Sequence, residues 1–151
     1  MDVRTIHSGD YEHYRSILAR TTEEDRYCRF FHLVDHFDPH EVRRFVEPQT
    51  DRIGLIAVEG KSALGAAHAF FLPESTAELA IVVAGDARRR GVGTALFSRL
   101  ITGLRHRGYR HVIAYALEEN HALGALARRV GMHSEGLESG VIAWAIEDEA
   151  A

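Results

Sequence analysis

The spacing of apolar residues changes near residue 50, and the change separates a helical N-terminal stretch from a run of strands. Val3-Arg4-Thr5-Ile6-His7 alternates as a short strand. Ser8-Gly9-Asp10 ends it and caps a helix predicted from Tyr11 to Ala19. Thr21-Thr22-Glu23-Glu24 sets a capping threonine ahead of acids, so a second helix is predicted to reach Phe31. Asp38-Pro39 reads as a capping residue with proline in the first turn of a third helix, running to Val46 and closed by Pro48.

Beyond that point the period shortens. Arg52 to Glu59 and Ala63 to Phe71 read as strands joined by a Gly60-Lys61 turn, and Ala77 to Val83 as a further apolar strand. Gly91 to Arg107 returns to helical spacing, followed by a strand from His111 to Ala116 and a helix from Asn120 to Val130. Strands near His133 to Leu137 and Val141 to Ile146, with Gly140 between them, complete the chain. The order predicts one α/β domain over residues 1–151, a mixed layer built on one central sheet.

Composition narrows the partners. The 151 residues are enough for a real core, and 46% apolar with 26% charged residues is ordinary for a globular protein. A net charge of −4 excludes a nucleic-acid binder held by a basic surface. The distribution matters more than the sum: from Arg88 to Arg110 there are seven Arg and no Asp or Glu, whereas Glu147-Asp148-Glu149 is acidic. A local positive field in a mildly acidic chain suits a small polyanionic ligand.

The single cysteine, Cys28, rules out an internal disulfide framework and reads as a packing residue. No run resembles a signal peptide or approaches the ~20 apolar residues of a membrane span, so a cytoplasmic protein without a membrane partner is expected. His32, His36 and His40 recur every four residues, but Asp38-Pro39 interrupts the helix between the last two, and no metal site is expected. Phe30, Phe31, Phe37 and Phe45 read as core packing, and Trp144 as core or dimer surface.

The chemistry-bearing stretch is Ala77 to Leu104, AELAIVVAGDARRRGVGTALFSRLITGL. A buried strand runs through small residues to Arg88-Arg89-Arg90-Gly91-Val92-Gly93 and into an amphipathic helix. Glycines at a helix start let backbone N–H groups approach a ligand, and the dipole there favours phosphate oxygens. A Walker A loop does not fit, because Lys61 is the only lysine. A dinucleotide fingerprint does not fit either, because Leu96 stands where a third glycine is needed.

Arg88-x-x-Gly91-x-Gly93 after an apolar strand resembles the pyrophosphate-binding motif of the GCN5-related N-acetyltransferases. Arg110 to Ala116, then Glu119-Asn120 and Ala125-Leu126-Ala127-Arg128-Arg129-Val130-Gly131-Met132, is similar to that family's next strand and helix. Thr22 to Phe31, and Glu78 early in AELAIVV, resemble the acetyltransferase domain of bacterial Pat-type protein-lysine acetyltransferases. The resemblance implies a mostly antiparallel sheet, splayed where acetyl-CoA enters.

It also implies roles. Ile81, Val82 and Val83 would bind the pantetheine arm through their backbone. Arg88, Arg89, Arg90, Gly91, Val92, Gly93 and Thr94 would hold the pyrophosphate, and Asn120 would reach the coenzyme while capping its helix. Glu78 would be the general base, since an ammonium must lose a proton before it attacks a thioester. The family's tyrosine seven residues beyond that asparagine is Ala127 here. Tyr115 is the nearest alternative by sequence, though an aromatic there reads first as a core or surface residue. A CoA thiolate leaves well enough that a dedicated acid need not exist.

The implied activity is direct acetyl transfer to an amine. A protein lysine is the first choice of acceptor, a small-molecule amine the second, and a non-catalytic CoA-binding sensor the rival. A homodimer is expected by analogy alone.

Overall fold

The computed structural model describes residues 1–21 and 39–147, with the backbone only at 39–41. Among the described residues seven strands form one sheet: β1 (Asp2–Thr5), β2 (Arg52–Glu59), β3 (Ser62–Leu72), β4 (Thr76–Val83), β5 (His111–Leu117), β6 (His133–Glu138) and β7 (Val141–Glu147). Four α-helices are described: α1 (Tyr11–Arg20), α2 (Pro39–Val46), α3 (Val92–His106) and α4 (His121–Arg129). The helix expected from Thr22 to Phe31 lies outside the described residues, as do Cys28, His32 and His36.

The strand order is β1-β2-β3-β4-β5-β7-β6, antiparallel everywhere except between β4 and β5. Strand β1 ends at Thr5 rather than at His7. The cause is local: the His7 imidazole accepts the Gly9 N–H, while Asp10 accepts the His7 N–H at 2.9 Å, bending the chain into a short 3-10 turn. Asp10 is buried, and the Arg4 guanidinium meets it with two bonds of 2.8 and 2.6 Å.

Each face of the sheet carries helices, and each interface has its own core. Helix α3 buries Val92, Leu96, Phe97, Leu100, Ile101 and Leu104, a three-and-four spacing that lays one apolar stripe along the sheet. These side chains meet Leu64, Ala67, Leu79 and Trp144, with Arg128 of α4 stacked over the Trp144 ring at 5.0 Å. On the other face Tyr14, Ile17 and Leu18 of α1 and Val42 and Val46 of α2 pack on Ile56, Ala66 and Val82. Small residues along β3 (Ala63, Gly65, Ala66, Ala67 and Ala69, all buried) allow helices to approach from both sides. Phe45 and Trp144 therefore pack as expected.

One parallel pair positions the site. The Ser75 carbonyl accepts the N–H groups of Arg110 and His111 at 3.0 and 3.2 Å, fixing where β5 starts beside β4. Pairing then runs from Thr76 with His111 only as far as Leu79 with Ala114. Residues 80–83 of β4 remain paired with β3 alone, while Tyr115, Ala116 and Leu117 of β5 remain paired with β7. The sheet is open between them.

Candidate active site

Strand alternation assigns the side chains around the opening to two faces. Ala77, Leu79, Ile81 and Val83 turn toward α3 and α4, and Glu78, Ala80 and Val82 turn the other way. Glu78 lies opposite Phe70 of β3 and Ile113 of β5. Two positions beyond Ile113, Tyr115 shares the Glu78 face. A cavity of about 270 Å³ occupies the opening. Leu79 and Ala114 line it from one face, Ala80 and Tyr115 from the other, so the opening passes through the sheet.

The mouth of the cavity is the loop before α3. Arg89 and Gly91 both take left-handed backbone, with φ of +62° and +77°. Such alternation turns successive N–H groups into an anion-binding concavity. The first intrahelical bond is Ala95 N–H to the Gly91 carbonyl at 3.0 Å, and among the described residues no side chain caps the helix. The N–H groups of Val92, Gly93 and Thr94 thus stand open at the positive end of the helix dipole.

The two glycines meet different needs. A Cβ on Gly91 would touch nothing within 4 Å, so only its positive φ asks for glycine. A Cβ on Gly93 would stand 3.0 Å from Leu126 Cδ2 and 3.5 Å from Ile81 Cδ1, so there packing between α3, α4 and β4 asks for it as well.

Most of the expected cofactor residues gather at this cavity. Ile81 and Val83 line it from β4, and Arg88, Arg89, Gly91, Val92, Gly93 and Thr94 line it from the loop and α3. Asn120 lines it from the start of α4, and its Oδ1 also accepts the Leu123 N–H at 3.1 Å, so one side chain both caps and faces the cavity. Val82 does not line it and belongs to the opposite core. Arg90 does not line it either: its guanidinium is paired with Glu59 at 2.6 Å, tying the loop to the end of β2.

Arg129, which the sequence reading passed over, joins the site from the last turn of α4, with Nη1 3.4 Å from Thr94 Oγ1. Ala122, Leu126 and Arg129, spaced by four and then three residues, share one face of α4, a spacing that could have flagged it. Arg88, Arg89 and Arg129 put three cations on the cavity, and among the described residues no acidic residue lines it. That donor set fits the pyrophosphate of a coenzyme A thioester.

Glu78 lies outside the cavity lining and is half-buried beside it. Burial alone raises its pKa above the usual carboxylate value. Ala127 is fully buried in the core, so no hydroxyl stands at that helix position. His111, Glu135 and Glu147 bring ligand atoms within 4.8 Å of one another, none of them lining the cavity, and His111 and Glu147 form an ion pair at 3.1 Å. Among the described residues no helix is long and apolar enough to cross a membrane.

Fold and site together define a small α/β protein whose open sheet leads to an arginine-lined cavity. The chain belongs to the Acetyltransferase (GNAT) family, which it matches over residues 11–132, and its class of chemistry is acetyl transfer. The GNAT domain of S. lividans PAT is similar at 26% identity, with 97% of this chain and 89% of that one covered and a TM-score of 0.88. The ribosomal-protein-alanine N-acetyltransferase of Brucella melitensis shares the fold at 22% identity, 98% and 100% coverage and a TM-score of 0.77. So does yncA of Salmonella typhimurium, solved with its cofactor acetyl-CoA, at 18% identity, 99% and 95% coverage and a TM-score of 0.76.

Proposed function

We propose that this protein transfers the acetyl group of acetyl-CoA directly to the side-chain amine of a protein lysine, with Glu78 as the general base. The observation that carries the reading is the passage through the sheet: phosphate-binding groups lie at its α3 end, and a half-buried carboxylate stands on its other face. Coenzyme and acceptor can then reach one carbonyl carbon from opposite sides. The choice of lysine rests on the likeness to the S. lividans PAT domain and on the Pat-like stretch from Thr22 to Phe31.

Acetyl-CoA supplies an activated acyl group, and the chain supplies position and proton management. Arg88, Arg89, Arg129 and the N–H groups of Val92, Gly93 and Thr94 anchor the pyrophosphate. Backbone groups of β4 at residues 80–83, which have no β5 neighbour, bind the pantetheine arm and steady charge developing on the carbonyl oxygen. Glu78, with its raised pKa, takes the proton that the ammonium must lose.

The test is release of CoA thiol from acetyl-CoA against a panel of lysine peptides, proteins and small amines, with Glu78→Gln alongside. Release with lysine acceptors that falls about 100-fold or more in the variant supports the reading. Release only with small amines moves the acceptor to that class. Acetyl-CoA binding without release on any acceptor supports the sensor and overturns the proposal.

A further inference from the structure

The β5–β7–β6 side of the sheet gathers a second set of polar groups, apart from the coenzyme cavity. His111 opens β5 and lies opposite Glu147, the last residue of β7, with Nδ1 and Oε1 3.1 Å apart. Glu135 reaches them from β6, so that one imidazole nitrogen and two carboxylate oxygens lie within 4.8 Å of one another.

The register explains the convergence. Glu135 is the extra residue of a β-bulge: Ser134 lies opposite Trp144, Gly136 opposite Ala143, and Glu135 opposite neither. Alternation puts it on the face of His133 and Ala145, which is also the face of Glu147 and His111. Ala145 separates Glu147 from the bulge on that face and carries only a methyl, so two long side chains can meet across it.

We propose that His111, Glu135 and Glu147 form a binding site for one divalent transition metal, with zinc the ion that its donors suit best.

The charges call for a cation. Two carboxylates converge on a single imidazole, and among the described residues no Arg or Lys forms an ion pair with either of them. A divalent ion balances both. The donors then select which ion. Magnesium and calcium take oxygen ligands, whereas an imidazole nitrogen beside carboxylates suits zinc and its neighbours.

The spacing fits as well. Zinc holds imidazole nitrogen and carboxylate oxygen at about 2.0–2.2 Å, so two ligand atoms of a tetrahedral shell lie about 3.4 Å apart. His111 and Glu147 are already that close. Glu135, exposed on its bulge, has to move its carboxylate by at most about 1.5 Å, a matter of side-chain torsion. Three protein ligands leave a fourth position to water.

The placement gives the metal a task. Every residue of β6 is exposed, and this edge strand is paired with β7 alone. A metal shared by β5, β6 and β7 fastens the edge across two neighbouring strands. It does so on the face that carries Glu78, which is level with Ile113, the next same-face residue of β5 after His111.

The test is calorimetric titration of tag-free protein with zinc, beside His111→Ala and Glu135→Gln, with magnesium as the control ion. The chain has ten histidines and Cys28, so the assignment turns on what the variants remove. One zinc per chain is expected, with affinity falling about tenfold or more in each variant. X-ray absorption of the wild-type complex at one equivalent should show one imidazole and otherwise oxygen around the metal. Amide exchange along β6 should slow with zinc in wild type and not in Glu135→Gln. No saturable zinc binding, binding that both variants leave within twofold, or magnesium bound as tightly would each overturn the proposal. A shell with sulfur or with more than one imidazole overturns it too, and that measurement needs no variant to fold. Acetyl transfer does not enter the test, so its result stands apart from the proposed function.

Discussion

Gly91→Ala isolates what the loop before α3 owes to backbone conformation. Gly91 sits at φ +77°, and a methyl there would meet nothing within 4 Å, so the whole effect is torsional. A left-handed conformation costs an ordinary L-residue about 1–2 kcal/mol, and the smaller entropy of the unfolded alanine chain opposes it by about 0.4–1 kcal/mol. The net loss is about 1 kcal/mol, which for a domain of this size lowers Tm by roughly 2–4 °C. If the loop relaxes to relieve the strain, the N–H groups of Val92, Gly93 and Thr94 turn out of line and acetyl-CoA affinity falls as well. Asparagine tolerates the left-handed region, so Gly91→Asn should recover part of both losses. Thermal denaturation and calorimetric titration with acetyl-CoA on the three proteins read the two effects separately. Equal losses for Ala and Asn, or none for Ala, would refute the torsional account.

Other outcomes follow from the same geometry. Arg129→Ala should weaken acetyl-CoA binding by about tenfold, consistent with one charge-assisted contact, and flatten its salt dependence; Arg90→Ala, already turned to Glu59, should leave the Kd within about twofold, and titrations at two ionic strengths compare them. The kcat/KM profile should have an acid limb above the ordinary carboxylate pKa, because burial raises Glu78, and Glu78→Gln should abolish that limb. Burial by itself would raise the Asp10 pKa, but bonds from Arg4, the His7 N–H and His13 outweigh it and hold this carboxyl well below its usual range. A depressed pKa gives stability that is full above the unfolded value near 3.9 and drains away as pH falls below it. Urea midpoints should therefore separate wild type from Asp10→Asn at pH 6 and converge toward pH 2; a gap that does not depend on pH would contradict the ion-pair account.

Sequence alone settled what neighbours along the chain can decide. The shift from helical to alternating spacing located the described strands and α-helices, though not the 3-10 turn at Gly85–Ala87. Gly60 marked the β2–β3 turn and takes the left-handed backbone such a turn uses, with φ +59°. Pro39 opened α2 and Asn120 capped α4, because proline geometry and side-chain capping act within one turn of the chain. The Arg88-x-x-Gly91-x-Gly93 spacing marked the anion-binding loop for the same reason: positive φ and open N–H groups at a helix start are local properties.

What remained depended on contacts between residues far apart in the chain. Arg90 looks the same as Arg88 and Arg89 in sequence, and only its pairing with Glu59, 31 residues away, takes it out of the cavity. Arg129 reaches Thr94 across 35 residues because α3 and α4 pack side by side. Tyr115 read as an ordinary strand aromatic, since alternation gives a side chain its face but not what lies there. The place where β4 parts from β5 is set by register, which Ser75 fixes through the N–H groups of Arg110 and His111. Register is a relation between strands, so although resemblance implied a splayed sheet, the residues at which it opens belong to the tertiary structure.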